Sequence, residues 1–99
     1  MDKESELALF AEDVILESPP GLFTAKGKLA FSEHSWDGSF TDDKRWILEA
    51  VLIIECGNEA VVHLRNHGSV AGVPVCMDSI EVWRVNEAGL VDSLRSFWG

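Results

Sequence analysis

The clearest pattern in the sequence is an alternation of apolar and polar positions in its C-terminal third, which has the period of a β-strand. One face of the segment 73–85 carries Met77, Ser79, Glu81 and Trp83, and the other carries Asp78, Ile80, Val82 and Arg84. A turn follows at 86–89, where Gly89 can adopt a positive φ, and 90–98 alternates again. The pattern predicts an antiparallel hairpin with one acidic residue, Glu81, inside a strand.

The rest of the chain predicts two helices and three further strands. Helical spacing covers 3–12 and 28–40, a brief β-prone run covers 14–17, and two long strands cover 46–55 and 60–70. The order is helix, short strand, helix and then four long antiparallel strands. This order predicts an α+β fold in which a curved antiparallel sheet wraps around helices and encloses a pocket.

Length and charge limit the classes of protein and partner. A chain of 99 residues predicts a single domain over 1–99, long enough to bury about two thirds of its unfolded surface. The net charge of −9, with 8 basic residues in no run, argues against a nucleic-acid partner. The longest apolar run, Ala50–Ile54, is too short to span a membrane. Cys56 and Cys76 show no pairing pattern, so we expect buried, reduced thiols and a cytoplasmic protein.

The candidate site follows from taking the Glu81 face of the sheet as its concave face. The side chains then expected to face inward are Ser18, His34, His63, Arg65, His67, Met77, Ser79, Glu81, Leu94, Ser96 and Trp98. Burial would raise the pKa of Glu81 and favour a neutral hydrogen-bond donor, whereas a nearby Arg65 would keep the carboxylate charged. The first outcome predicts a proton donor to a ligand oxygen, and the second predicts a structural ion pair.

Structural roles explain several of these residues equally well. Glu81 is also consistent with an exposed strand residue or a partner of Arg65 or Arg84. His34 suits a packed helix face, and Ser18, which precedes a proline, suits a turn. No cysteine or carboxylate lies at a ligand-like spacing beside the histidines. We therefore expect neither a metal site nor a cofactor.

Several segments, taken in their order and spacing, resemble one known superfamily. They are Phe10-Ala11-Glu12-Asp13 leading into Glu17-Ser18-Pro19, Gly27 before the middle helix, and Asp78-Ser79-Ile80-Glu81-Val82 through Gly89 to Phe97-Trp98. The chain resembles the ketosteroid isomerase and SnoaL-like superfamily, whose fold is the nuclear-transport-factor-2-like (NTF2-like) cone. The resemblance covers nearly the whole chain. Family members usually begin with a long helix over the mouth of the cone, and this chain starts at what would be the second helix.

The resemblance implies an acid–base site of which this chain keeps a part. In ketosteroid isomerases a carboxylate at the end of the first strand moves a proton, and Ser18 stands at that position. The protonated aspartic acid of the oxyanion hole is matched by Glu81, whereas its tyrosine partner has no match because the chain contains no tyrosine. In the limonene-epoxide-hydrolase-like branch, Arg65 matches the arginine, while His67 and Ser96 replace two aspartates.

Two classes of function are consistent with these residues. One is an enzyme that catalyses isomerisation or hydration at a carbonyl, enol or epoxide oxygen of a small apolar molecule. In this class Glu81 would be the acid or oxyanion partner, and Arg65 and His67 would assist. The alternative is a non-catalytic binding or dimerisation module on the same fold. The missing tyrosine and the serine at the base position favour the alternative.

The other face of the predicted sheet is apolar enough to suggest a protein partner. It would present Ile80, Val82, Phe97 and either Val62 or Leu64. Such a surface is unfavourable in water. We therefore expect a homodimer packed through its sheets, as the resemblance also implies.

Overall fold

A computed structural model describes residues 2–98, which form two short helices and eight strands. Helix α1 spans Lys3–Leu7, and helix α2 spans Lys28–Ser32 and continues as a π-helical segment over Glu33–Asp37. The strands are β1 Phe10–Glu17, β2 Thr24–Lys26, β3 Phe40–Thr41, β4 Lys44–Arg45, β5 Ile47–Cys56, β6 Glu59–Val70, β7 Val73–Val85 and β8 Val91–Trp98. None of the helices in this range has the length and apolar character needed to cross a membrane.

Six strands form one curved sheet in the order β2-β1-β8-β7-β6-β5, and β3 and β4 form a separate hairpin. Neighbouring strands of the large sheet are antiparallel except β1 and β8, which run parallel. The predicted α+β fold with a curved sheet is confirmed, and the sheet is mixed rather than wholly antiparallel. Because β1 and β8 are the first and last long strands, no short turn links them and fixes their relative direction.

The β6–β7 turn determines which side chains share a face. The turn consists of Ala71 and Gly72, which both have positive φ, +53° and +78°, as a two-residue hairpin turn requires. It pairs Val70 with Val73, and therefore pairs Leu64 with Ser79. Because directly paired residues point to the same side of a sheet, this turn fixes the side of every β6 residue.

The hydrophobic core lies between helix α2 and one end of the sheet. Its buried members are Phe10, Val14, Leu16, Ala25, Phe31 and Leu94. Phe31 of α2 lies against Phe10 of β1, with ring centroids 4.3 Å apart. At the other end of the sheet, every residue of β5 is exposed. Helix α2 therefore covers only part of the concave face.

The predicted element boundaries are correct to within about one residue in the last four strands and less accurate before them. The helix predicted over 3–12 ends at Leu7, because Phe10 and Ala11 are buried in strand β1 rather than on a helix face. The helix predicted over 28–40 stays helical to Asp37. Strand β2 was not predicted, since three residues are too few to show a period.

Candidate functional site

A cavity of about 320 Å³ lies between the α2 region and the concave face of β7 and β8. Phe10, Phe31, Trp83 and Leu94 supply much of its apolar wall. The predicted inward-facing residues that line it are Ser18, His34, Met77, Ser79, Glu81, Leu94, Ser96 and Trp98. Alternation along β7 and β8 brings most of these together, because every second residue of each strand points to the cavity.

His63, Arg65 and His67 lie on the convex face of the sheet, on the side away from the cavity. The prediction that they face into the pocket is therefore wrong. Arg65 pairs with Asp78 across the sheet, whereas Glu81 pairs with Val62. A shift of one residue in register turns a whole strand over. The spacing of two correctly places these three residues on one face of a strand. It does not show whether that face is concave or convex.

The convex residues form exposed contacts with carboxylates instead. Nε2 of His63 lies 3.2 Å and Nε of Arg65 lies 3.3 Å from Oδ1 of Asp78, and Nε2 of His67 lies 3.0 Å from Oε1 of Glu49. The hydrogen bond from His63, followed by that from Arg65, lowers the pKa of Asp78. Such solvated pairs contribute little to stability.

Glu81 is a largely buried carboxyl group in the cavity wall. Its Oε1 accepts a hydrogen bond from Nε1 of Trp83 at 3.0 Å, and its Oε2 accepts one from the Ser96 hydroxyl at 3.1 Å. Burial raises the pKa of Glu81, and these two hydrogen bonds offset the increase only in part. Within residues 2–98 no cation forms an ion pair with Glu81. Of the two sequence-based alternatives, the ion pair with Arg65 does not form, because Arg65 lies on the opposite face, and burial shifts Glu81 towards its neutral form.

The partners of Glu81 are positioned by strand geometry. Trp83 follows Glu81 by two residues on β7 and therefore points to the same side. Ser96 is the residue of β8 that pairs directly with Glu81, which brings the two side chains within hydrogen-bonding reach. Both contacts depend on the alternation and register of the C-terminal hairpin.

Ser18 shares the cavity with Glu81, at the point where β1 ends. Its Oγ accepts a hydrogen bond from Nε1 of Trp98 at 3.1 Å. The Ser18 hydroxyl hydrogen therefore remains able to donate to a ligand, but the hydroxyl is not a strong base at neutral pH. Ser18, Glu81 and Arg65 do not share one cavity, because Arg65 is on the convex face.

Asn66 is a cavity residue that the sequence analysis missed. It is 8% exposed, and its Nδ2 donates to the Met77 carbonyl oxygen at 2.9 Å and to the Ser79 hydroxyl oxygen at 3.1 Å. The two-residue turn at 71–72 is the sequence feature that could have indicated this, because it sets the register of β6 against β7. Pairing Val70 with Val73 places Asn66, rather than Arg65 or His67, on the side of Ser79.

The π-helical segment and the residues after it contribute His34, Ser35, Gly38, Ser39 and Arg45 to the cavity lining. His34 stacks on Phe23 with ring centroids 4.2 Å apart. Arg45 lies 3.7 Å above the Trp36 ring and donates hydrogen bonds to the carbonyl oxygens of Ser35 and Trp36. These contacts satisfy carbonyl groups near the end of a short helix and hold the segment against strand β4.

No metal-binding group is apparent in the part of the chain that the structure describes. Within residues 2–98, no three His, Cys, Asp or Glu side chains are grouped closely enough to hold an ion. Cys56 and Cys76 are free and exposed rather than buried as predicted. Cys56 ends the edge strand β5, and Cys76 lies on the convex face opposite His67.

Three solved structures are similar to the whole described fold. SalBIII, an epoxide hydrolase/cyclase-like enzyme with a role in pyran ring formation in the polyether salinomycin, is 22% identical over 99% of this chain and 78% of its own, with a TM-score of 0.83. A computationally designed 17-OHP binder is 29% identical over 99% and 80%, with a TM-score of 0.80. RV0760c from Mycobacterium tuberculosis is 25% identical over 99% and 79%, with a TM-score of 0.78.

The comparison with protein-family models agrees with this structural likeness. A search of curated proteins finds no match to the chain. The model of the SnoaL-like domain matches residues 1–93, which is nearly the full length and includes the Glu81 strand. The chain therefore belongs to the SnoaL-like domain family.

Proposed function

We propose that the chain binds a small, largely apolar molecule in the cavity, and that protonated Glu81 donates a hydrogen bond to an oxygen atom of that molecule. The observation that carries this proposal is the buried Glu81 carboxyl group in a mostly apolar wall, with a raised pKa. A carboxyl group held neutral in such a site is a strong donor to a carbonyl, enol or epoxide oxygen.

The cavity suits a compact ligand. Its volume of about 320 Å³ lies at the lower end of the range for small-molecule sites, roughly 300–1,000 Å³. Aromatic and aliphatic side chains would contact most of the ligand, and Glu81 would fix its orientation. The design of a 17-OHP binder on a similar fold supports a binding role for such a cavity.

The binding proposal is tested by following the affinity for 1-tetralone, a compact apolar ketone, by calorimetry as a function of pH. Wild-type affinity should fall as pH rises through the raised pKa of Glu81, because the carboxylate cannot donate a hydrogen bond. Glu81→Gln should bind at all pH values, since its amide still donates. The matched control is Glu55→Gln, on the exposed edge strand, which should keep the wild-type profile. A pH-independent wild type would contradict the proposal.

A second candidate function is acid–base catalysis at the same oxygen, as isomerisation or hydration. It is favoured by the raised pKa of Glu81 and by the presence of a second titratable side chain, His34, in the cavity lining. Arg65 and His67 are not part of this candidate, because they lie on the convex face. The assay compares wild type with Glu81→Gln on panels of enones and epoxides. Equal and negligible turnover by the two proteins would contradict catalysis and leave ligand binding as the proposed function.

The proposed assembly is a homodimer packed through the convex face. Ile80 and Phe97 lie there, as predicted, and are 42% and 37% exposed. On β6, Val61 lies on this face and pairs with Val82, whereas Val62 and Leu64 point to the concave side. Light scattering at micromolar concentration should give a dimer, and Ile80→Lys should give a monomer. A monomeric wild type would contradict this assembly.

The proposed compartment is the cytoplasm. Two free, exposed thiols are most stable in a reducing environment. Fractionation of cells that express the chain at native level should place it with cytoplasmic markers, and recovery with a membrane or secreted fraction would contradict this.

A further inference from the structure

Asn66 and Ser79 form a second polar group in the cavity wall, apart from Glu81 and its partners. The two side chains are 8% and 5% exposed, and both line the cavity. They belong to neighbouring strands, β6 and β7, and are joined by the hydrogen bond from Nδ2 of Asn66 to Oγ of Ser79. Buried polar side chains in an apolar wall are costly unless their hydrogen-bonding groups are used.

The hydrogen bonds of this pair leave one acceptor and one donor without a protein partner. The Asn66 amide can be oriented in one way only, because the Met77 carbonyl oxygen it faces accepts and cannot donate. Both Nδ2 hydrogens are then used, on Met77 and Ser79. Among the hydrogen bonds described for residues 2–98, none reaches Oδ1 of Asn66 and none is donated by the Ser79 hydroxyl. An alcohol group, which both donates and accepts, would satisfy the two together.

We infer that Asn66 and Ser79 are the specificity-determining residues for a hydroxyl group on the ligand that Glu81 holds at its other oxygen. Ser79 and Glu81 are two residues apart on one face of β7, a separation of about 7 Å. The ligand class is therefore a compact apolar molecule with a carbonyl-type oxygen and a hydroxyl group about 7 Å apart. This inference rests on the proposed function, since it assigns a second contact to the same bound molecule.

The test compares three ketones by calorimetry: 1-tetralone, 6-hydroxy-1-tetralone and 6-methoxy-1-tetralone. The hydroxyl group of the second lies across the ring from the carbonyl group, and the methoxy group of the third cannot donate. Wild type should bind the hydroxyl compound about fivefold more tightly than 1-tetralone, the effect of one neutral hydrogen bond. The methoxy compound can accept from Ser79 but cannot donate to Asn66, so its gain should be smaller than that of the hydroxyl compound. In Ser79→Ala and Asn66→Leu the gain of the hydroxyl compound over 1-tetralone, taken as the ratio of the two affinities within each protein, should fall towards one.

Two variants that differ in the size of the change are used, so that the test still gives a result if one of them does not fold. Ser79→Ala removes one oxygen atom and should fold even if Asn66→Leu does not. Ser93→Ala, on β8 and outside the cavity lining, is the matched control and should keep the gain. An equal hydroxyl gain in Ser79→Ala, or no gain in wild type, would overturn the inference while leaving the Glu81 proposal standing. Failure of all three ketones to bind would overturn the proposed function and this inference with it.

Discussion

The two faces of the β6–β7 hairpin carry polar residues in opposite surroundings, although the same strands supply both. On the concave face, Asn66 and Ser79 are buried and joined by a hydrogen bond. On the convex face, His63 and Arg65 are solvated and share the Asp78 carboxylate. The concave face has neutral polar groups in an apolar wall, and the convex face has charges in water. Position relative to α2, rather than residue type, separates the candidate ligand cavity from the convex face.

Two carboxyl groups three residues apart on β7, those of Asp78 and Glu81, show most directly how the surroundings on the two faces differ. Burial raises the pKa of Glu81, whereas hydrogen bonds from His63 and Arg65 lower the pKa of Asp78. Desolvation penalises the charged form of the first group, and hydrogen bonds from His63 and the cationic Arg65 favour the charged form of the second. The same chemical group is therefore shifted towards its neutral form on one face and towards its charged form on the other.

The largest expected loss of stability comes from truncating Phe31, a side chain of the helix that covers part of the concave face. Phe31 is 2% exposed, whereas Phe97 of the convex face is 37% exposed. Phe31→Ala should lower the free energy of unfolding by about 3–5 kcal/mol, and the matched Phe97→Ala by about 1 kcal/mol. Urea denaturation measures both. A dimer would bury Phe97, so the comparison is made at two protein concentrations, and equal losses at the lower concentration would contradict the difference between the faces.

A smaller loss of stability is expected from adding a methyl group at Gly68, where strand β6 meets Thr41 of the β3–β4 hairpin. A Cβ atom at Gly68 would lie 2.6 Å from Cγ2 and 2.7 Å from Oγ1 of Thr41, closer than van der Waals contact allows. Gly68→Ala should therefore cost about 1–3 kcal/mol, and Thr41→Ala in the same chain should recover part of it. A double-mutant cycle with purely additive losses would show that the two residues do not touch.

Much of the fold was predictable because the long strands have a clear period of two. The hairpin from Val73 to Trp98 was recovered nearly to the residue, and with it the cavity positions of Glu81 and Ser96. Strand period alone does not say which face of a strand points inward. The faces of β7 were chosen correctly, but the assignment of β6 required the register set by Ala71 and Gly72.

Other features were beyond the sequence pattern for physical reasons. The parallel pairing of β1 with β8 joins strands far apart in the chain, so it leaves no local signal. The exposure of Cys56 and Cys76 depends on which strand forms the sheet edge and which face is convex. A run of apolar residues such as that of β5 is typical of a buried strand, yet all of them are exposed because α2 does not reach that end of the sheet.

The pH dependence of stability should have opposite signs for the two carboxyl groups of β7. Glu81 is harder to ionise in the folded protein, so it destabilises the fold as pH rises above its ordinary pKa of 4.5 and through its raised value. Glu81→Gln should therefore gain stability relative to wild type across this window. Asp78 stabilises the fold above its ordinary pKa of 3.8, and this contribution is lost as pH falls through the lowered value.

Asp78→Asn is the matched control, and it should lose stability relative to wild type above about pH 4. Its effect should be the smaller of the two because Asp78 is exposed. Chemical denaturation of the three proteins at a series of pH values measures both differences. Curves of the same sign for the two variants would contradict the contrast between the faces.

The smallest effect is expected at Arg65 and His67, the residues of the convex face that first suggested assisting groups. Neither side chain lines the cavity, and their ion pairs with Asp78 and Glu49 are exposed. Arg65→Ala and His67→Ala should each change the free energy of unfolding by less than about 1 kcal/mol. Both should leave the affinity for 1-tetralone and its pH dependence unaltered. A loss of the pH dependence in Arg65→Ala, with the fold intact, would mean that a charge on the convex face controls Glu81 through the sheet, and the two faces would then have to be treated as one site.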